Sequence, residues 1–396
     1  MERVLLAGLI WKKNEDNSFL EGLEELSLLT KTLNCEIVDR IIQKKENPCP
    51  ATFIGRGKAE EISRIVKEKN IRAVIFDCDL TPSQVKNLEE IIGCKIIDRT
   101  WLILSIFAEK AKTEEAKIEV SLAQYEYLLP RLTRQWTHLS RQWGGIGTKG
   151  VGEKQLEIDR RVIKERIYHL KNDLKKIEKR RDITFQSHKN FPSVALVGYT
   201  NAGKSTLFNL LTSSNVKVSN FLFSTLDPKV SRAVLGKIPI LVSDTVGFIK
   251  NIPHHLIASF KSTLKEAMEA DLVIHIVDRS HPNYEAQEKV GFETLEYLNI
   301  QKEKIMTVYN KADIIFENEN IQFPFISAKN GWGIENLILK IEEKISTSFT
   351  IIKKSYKNIS KKQLENIIRN NCVIDYKRKN NETEVTFWVR KILPSI

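Results

Sequence analysis

Residues 198–205, Gly198-Tyr199-Thr200-Asn201-Ala202-Gly203-Lys204-Ser205, constrain this chain more than any other stretch. They fit Gly-x-x-x-x-Gly-Lys-Ser, and their flanks fit as well. Ser193-Val194-Ala195-Leu196-Val197 is an apolar, β-branched-rich run, and Thr206 to Leu211 carries a helical pattern. A strand that turns through glycines into a helix N-terminus aims several backbone N–H groups at one anion. Lys204 adds a point charge at the β/γ end of a nucleotide, and the Ser205 hydroxyl suits Mg²⁺. The spacing predicts a phosphate cradle of Gly198, Asn201, Ala202, Gly203, Lys204, Ser205 and Thr206.

Downstream motifs narrow the nucleotide. Ile238 to Ser243 reads as a strand that delivers Asp244-Thr245-Val246-Gly247. A carboxylate there can reach a Mg²⁺-bound water, and the Gly247 N–H can meet the γ-phosphate. Between the two lies Phe223-Ser224-Thr225, where Thr225 is expected to complete the metal shell while GTP is bound; an ordinary turn residue is the alternative. Asn310-Lys311-Ala312-Asp313 follows the apolar run Ile305 to Tyr309. Guanine presents two adjacent donors that Asp313 can accept, whereas adenine would leave that carboxylate unpaired. The Lys311 stem can cover the base. Ser327-Ala328-Lys329 is expected to end another strand and to bring a backbone N–H to the guanine O6. This order of motifs predicts a P-loop GTPase, with Lys204, Thr225 and Gly247 serving catalysis and Ser205, Thr225 and Asp244 holding Mg²⁺.

After Gly247, where many such enzymes carry a glutamine that orients water, stands Phe248. A side chain without hydrogen-bonding groups predicts slow turnover that a large partner stimulates. His254, His255 and Arg232 are nearby substitutes in sequence. Asn201 is positioned to add a monovalent cation such as K⁺ beside the β/γ-phosphates.

Charge is unevenly placed. Residues 131–190 carry 16 Lys and Arg against 7 Asp and Glu, and residues 351–396 carry 11 against 4, within a chain of net charge +12. Basic segments attract phosphate backbones, although a solvated helix face is the plainer reading of a charge run. The 396 residues suffice for two or three domains. No run of about eighteen apolar residues suggests a transmembrane helix. The N-terminus lacks a signal peptide's cleavage region, and five cysteines without a Cys-x-x-Cys pair suit reduced thiols in the cytoplasm. A monomer, with a peripheral membrane contact as a further option, is the expected state.

Along the chain, residues 1–100 read as a small parallel α/β domain. Val4 to Ile10, Ala73 to Asp77 and Lys95 to Ile97 form its strands. Phe19 to Leu33, Ala59 to Lys69 and Pro82 to Ile92 form its helices, the last capped by Thr81. Ile54-Gly55-Arg56-Gly57-Lys58 reads as a turn or an RNA-backbone contact. From Trp101, Leu104, Ala111, Ile118 and Tyr125 fall seven apart, and so do Leu156, Ile163, Leu170 and Ile177. Two such stripes predict an antiparallel helical hairpin over 101–185. Its tip holds Arg131, Arg134, Trp136, Arg141, Trp143 and Lys149, with five glycines in residues 144–152. So many glycines resist helical packing. Arginines and indoles beside an open backbone suit irregular RNA, where a floppy linker is the alternative. The GTPase domain is expected over 191–346, and a small basic α/β unit over 350–396, with a helix at Lys361 to Asn370 and a strand pair at Cys372 to Tyr376 and Glu384 to Val389.

Gly150-Val151-Gly152-Glu153-Lys154-Gln155-Leu156-Glu157-Ile158-Asp159-Arg160-Arg161 resembles the signature that precedes the GTPase domain of HflX proteins. The phosphate loop, the run Asp244 to Ile249, Asn310 to Asp313 and Ile54 to Lys58 resemble that family too. Lys149, Val151 and Lys154 stand where Arg, Pro and Thr are commoner. The resemblance implies a ribosome-associated GTPase that binds GTP or GDP with Mg²⁺ and engages the large ribosomal subunit and its rRNA. It also implies the splitting or recycling of stalled ribosomes. The residues themselves leave two other readings open: a ribosome-assembly or RNA-modification GTPase, and a signalling adaptor that hydrolyses little GTP.

Overall fold

The computed structural model describes residues 2–10, 16–132, 152–188, 190–214, 223, 229–236, 238–249, 264–317, 321–379 and 382–391, with backbone alone at 16–20, 152–157, 181–188, 369 and 379. The described residues divide into two compact units, one up to Lys176 and one from Ile177 onward.

In the first unit, β1 (Arg3–Ile10), β2 (Glu36–Lys44), β3 (Ala73–Phe76) and β4 (Lys95–Ile97) form a parallel sheet in the order β2-β1-β3-β4. The interior strands β1 and β3 are apolar runs, as strands covered on both faces must be. Strand β2 has no such signal in the sequence. It lies at the sheet edge, half-solvated, and carries Glu36, Asp39, Arg40 and Lys44. Helices α1 (Asp16–Thr32), α2 (Arg56–Glu68) and α3 (Pro82–Ile92) alternate with the strands. Thr81 caps α3 in a full capping box: its hydroxyl accepts from Gln84 N at 3.2 Å, and Gln84 Oε1 accepts from Thr81 N at 2.9 Å. Ile54 leads into α2 with Gly55 at its N-cap, and Arg56, Gly57 and Lys58 are the first turn of that helix.

The first heptad stripe does not form one helix. It is split into α4 (Arg99–Lys110) and α5 (Glu114–Leu128), with Ala111 extended between them. The Thr113 hydroxyl accepts from Ala116 N at 3.2 Å and restarts the helix. Seven-residue spacing carries across the break, so periodicity alone hides it. Leu104 is fully buried in the first unit, while Ile118 and Tyr125 are half-buried on α5. The second stripe does lie on one helix, α6 (Gly152–His188). Lys171 of α6 pairs with Glu126 of α5 at 2.8 Å, and Arg160 donates to Leu132 O at 3.1 Å. As residue number rises on one helix it falls on the other, the register of an antiparallel hairpin.

The second unit is built on β5 (Ser193–Gly198), β6 (Lys229–Leu235), β7 (Ile238–Asp244), β8 (Leu272–Asp278) and β9 (Ile305–Asn310), in the order β6-β7-β5-β8-β9. All pairs are parallel except β6 with β7. Leu196, Val242, Ile274 and Val308 form the core with Leu207 and Phe208 of α7 (Lys204–Thr212) and Leu337 and Ile341 of α10 (Ile334–Ser346). Helices α8 (Lys265–Glu269) and α9 (Tyr284–Tyr297) precede and follow β8. Residues 325–329 are not a strand. Phe325 makes one isolated bridge to Tyr309, and Ser327 N bonds back to Trp332 O at 3.0 Å, closing a loop.

The chain ends in β10 (Phe349–Lys357), α11 (Lys361–Asn370), β11 (Val373–Lys379) and β12 (Glu382–Arg390), an antiparallel sheet in the order β10-β12-β11. Phe349, Cys372 and Trp388 join the GTPase core, and the rings of Phe349 and Trp388 stack at 5.5 Å. Arg390 donates twice to Asp271, which also accepts Ser193 N at 3.0 Å. The C-terminal sheet is thereby fastened to the roots of β5 and β8.

Candidate functional site

Strand β5 ends in the phosphate loop at the C-terminal edge of the sheet, where parallel α/β folds bind ligands. Two glycines are sterically required there. Gly198 has φ +148°, and a Cβ would meet Ile276 O at 2.2 Å; Gly203 has φ +95°, and a Cβ would meet Asn310 Nδ2 at 2.1 Å. Lys204 opens α7 and is buried, donating to Gly198 O at 3.1 Å and Tyr199 O at 2.8 Å. Burial pulls its pKa down to about 8, against the opposing pull of Asp244. Ser205 Oγ donates to Asp244 Oδ2 at 2.7 Å, so a hydroxyl and a fully buried carboxylate share one polar pocket. Such hard oxygens are the donor type that Mg²⁺ takes. Ala202 is buried, Thr206 half-buried, and Asn201 exposed with φ +63°.

The segment after β7 is zipped onto the phosphate loop. Phe248 N donates to Gly198 O at 2.9 Å, Thr200 N donates to Phe248 O at 2.8 Å, and Thr245 Oγ1 donates to Leu196 O at 2.7 Å. Gly247 is held so close that a Cβ there would lie 3.0 Å from Lys204 Nζ. The Phe248 ring is buried, which explains an apolar residue at this position: it packs while its backbone does the joining.

The residues expected to recognise the base form a chain of contacts. Asn310 Nδ2 donates to Ala202 O at 2.8 Å, and its Oδ1 accepts from Ala328 N at 2.9 Å. One buried amide thus ties the phosphate loop to the Ser327 loop. Ser327 Oγ donates to Asp313 Oδ1 at 2.6 Å, orienting that carboxylate, and Lys311 Nζ pairs with Asp278 Oδ2 at 2.6 Å. Lys329 is exposed. Asp278 and Thr245 escaped the sequence reading. The signal for Asp278 was a carboxylate closing the apolar run Leu272 to Val277.

Three family models match the chain in succession: a GTP-binding GTPase N-terminal region at residues 20–108, a GTP-binding GTPase middle region at 110–188, and a 50S ribosome-binding GTPase at 193–311. GTPase HflX of Flavobacterium psychrophilum is 48% identical over 79% of this chain and 76% of its own length. GTPase HflX of Lacrimispora saccharolytica is 42% identical over 92% and 88%, and that of Escherichia coli K12 is 39% identical over 87% and 83%. The chain belongs to the HflX family of GTPases. A GTP-binding protein of Sulfolobus solfataricus, solved with GDP, is 24% identical over 88% of this chain and 99% of its own, with a TM-score of 0.45.

The remaining expected site residues of this HflX-family chain fall into two groups. Thr225, Arg134, Trp136, Arg141, Trp143 and Lys149, like His254 and His255, lie outside the described residues. Arg131 and Arg232 are described, and both are committed to the fold. Arg131 pairs with the buried Asp98 at 3.2 Å, donates to Leu80 O at 2.8 Å and lies 3.5 Å over the Tyr127 ring. Its guanidinium is enclosed, which removes it from the expected RNA contacts. Arg232 lies 4.5 Å over the Phe191 ring and donates to Ile368 O at 3.3 Å, which spends it on the C-terminal unit rather than on the Phe248 segment. Among the described residues, no helix is long and apolar enough to cross a membrane, and no group of three His, Cys, Asp or Glu is placed to hold a metal.

Proposed function

We propose that this GTPase acts in the cytoplasm on the large ribosomal subunit, binding it in the GTP state and splitting or recycling stalled ribosomes. What supports the reading is a GTPase whose family model is described as ribosome-binding, joined to a hairpin whose tip sequence is basic and rich in tryptophan and glycine. In the nucleotide site, the backbone of 198–206 and the Lys204 ammonium bind the phosphates, and Asp313, Asn310, Lys311 and Ala328 select guanine. Lys204 exchanges its two carbonyl partners for phosphate oxygens, a contact that favours its charged form. Ser205 and Asp244, with Thr225, are the residues that would hold Mg²⁺, which would supply charge neutralisation to the nucleotide's phosphates. Gly247 N–H meets the γ-phosphate and so couples the Asp244 segment to hydrolysis. Asn201 adds K⁺ near the same charges; equal rates in sodium and potassium would remove that role. Since the Phe248 side chain offers no hydrogen bond to an attacking water, turnover is slow until the ribosome completes the site.

The test is GTP hydrolysis with and without purified large subunits. Strong stimulation is expected. It should fall in the triple variant Trp136→Ala, Arg141→Ala, Trp143→Ala, with basal turnover unchanged. Absent stimulation would reverse the reading in favour of an adaptor. Stimulation without loss of light scattering from intact ribosomes would favour an assembly role over splitting.

A further inference from the structure

Among the described residues a single buried hydroxyl lacks a hydrogen-bond partner, and it lies in the nucleotide site. It is Oγ1 of Thr200, a phosphate-loop residue that is 7% exposed. An enclosed polar group left unpaired costs about 1–3 kcal/mol, so its presence calls for a use. The polar side chains around it are already engaged. Thr245 Oγ1 donates to Leu196 O, Ser205 Oγ donates to Asp244, and Lys204 Nζ donates to Gly198 O and Tyr199 O. Thr200 also packs directly on Gly247: a Cβ on that glycine would lie 2.7 Å from Thr200 Cγ2 and 3.0 Å from Lys204 Nζ. The main chain holds it there, because Thr200 N donates to the Phe248 carbonyl at 2.8 Å.

The Thr200 methyl faces Gly247, and one staggered step of χ1 exchanges methyl and hydroxyl, which turns Oγ1 toward that glycine. A hydroxyl donates and accepts at once, as a glutamine amide does and the Phe248 ring cannot. Arg232, a possible substitute in sequence, is engaged with Phe191 and Ile368 instead. We propose that the Thr200 hydroxyl stands in for the missing glutamine: it accepts a hydrogen bond from the attacking water and donates one to a γ-phosphate oxygen. The inference rests on the proposed meeting of the Gly247 N–H with the γ-phosphate, since that meeting puts the reacting phosphorus beside Thr200. In the step itself, the water oxygen bonds to the γ-phosphorus and the bond from phosphorus to the GDP oxygen breaks. The water's proton ends on the released phosphate, and Thr200 is unchanged. One hydroxyl fixes only one of the water's two hydrogens, which agrees with a slow basal rate.

The test uses the full-length chain and compares single-turnover GTP hydrolysis with equilibrium binding of GDP and of a non-hydrolysable GTP analogue. Thr200→Val keeps the shape of the side chain and removes the hydroxyl. It should slow hydrolysis at least about tenfold while both affinities stay within about threefold of wild type. Thr200→Ser keeps the hydroxyl and should retain at least about a third of the wild-type rate. Undiminished hydrolysis by Thr200→Val would overturn the proposal. A Thr200→Ser variant as slow as Thr200→Val would overturn it too, because packing rather than the hydroxyl would then set the rate. So would a loss of analogue affinity as large as the loss of rate, which marks a role in holding the nucleotide rather than in its hydrolysis. Lys204→Ala reports separately on the site: undiminished nucleotide affinity there would refute the reading of the loop on which the inference rests. Repeating the rates with purified large subunits isolates the ribosomal reading, since absent stimulation counts against that reading and leaves the comparison of Val and Ser intact.

Discussion

The proposed guanine contact hangs on one carboxylate whose direction is set by its neighbour. Ser327 Oγ donates to Asp313, so in the proposed role the other face of that carboxylate would take the two donors of guanine. Asp313→Asn replaces an acceptor by a donor. It should lower GTP affinity by roughly a hundredfold or more, with recovery on xanthosine triphosphate, whose ring offers an oxygen in place of the amino group. Competition binding with the two nucleotides checks this; an unchanged preference would mean that Asp313 does not read the base. Lys204 supplies a second prediction. Its pKa near 8 in the nucleotide-free protein, lowered chiefly by burial, must rise on contact with phosphates, so binding takes up a proton. Affinity should be level below about pH 7 and fall up to tenfold per unit above about pH 8. Titrations that stay flat to pH 9.5 would count against the lysine contact.

Between the hairpin and the first sheet, Arg131 works as a fastener. Asp98 is fully buried, and its carboxyl is pushed up by burial while the Trp101 N–H, the Tyr127 hydroxyl and then the Arg131 guanidinium pull the other way. Arg131→Ala would leave that carboxyl its hydrogen bond from Trp101 N at 2.8 Å but no cation, and about 2–3 kcal/mol of stability should be lost in denaturant unfolding. A stability change under 1 kcal/mol would return Arg131 to the surface. Sequence shows that an arginine is charged but not whom it faces, so Arg131 read like its neighbours in the basic tip. Similarly, a heptad count cannot see the restart at Thr113, because Ala111 to Thr113 keeps the spacing while leaving the helix. The edge strand β2 carries no strand signal because solvent exposure dilutes its apolar pattern, and the apolar pair Phe325-Ile326 reads as a strand although it makes only one bridge to β9 before the loop closes. The phosphate loop, Asp244 and Asn310 to Asp313 were legible because fixed polar residues follow interior strands whose runs are unmistakable.

At the level of the entire chain, the C-terminal sheet is continuous with the GTPase core. Trp388 and Phe349 are buried in it, and Arg390 grips Asp271 beneath β5. Trp388→Ala should cost about 3–5 kcal/mol and lower the melting temperature of the GDP-bound GTPase unit itself. A separate early transition of residues 350–391, with the rest unaffected, would show the sheet to be a loose appendage. The same core carries the nucleotide loops on the opposite ends of its strands, and a basic hairpin precedes it in the chain. A GTP-controlled grip on the ribosome is what we propose these parts add up to. Co-sedimentation of the full-length chain with purified large subunits, loaded with a non-hydrolysable GTP analogue or with GDP, decides the matter. The analogue should give binding at least about tenfold tighter than GDP; equal binding in the two states would contradict a GTP switch acting there.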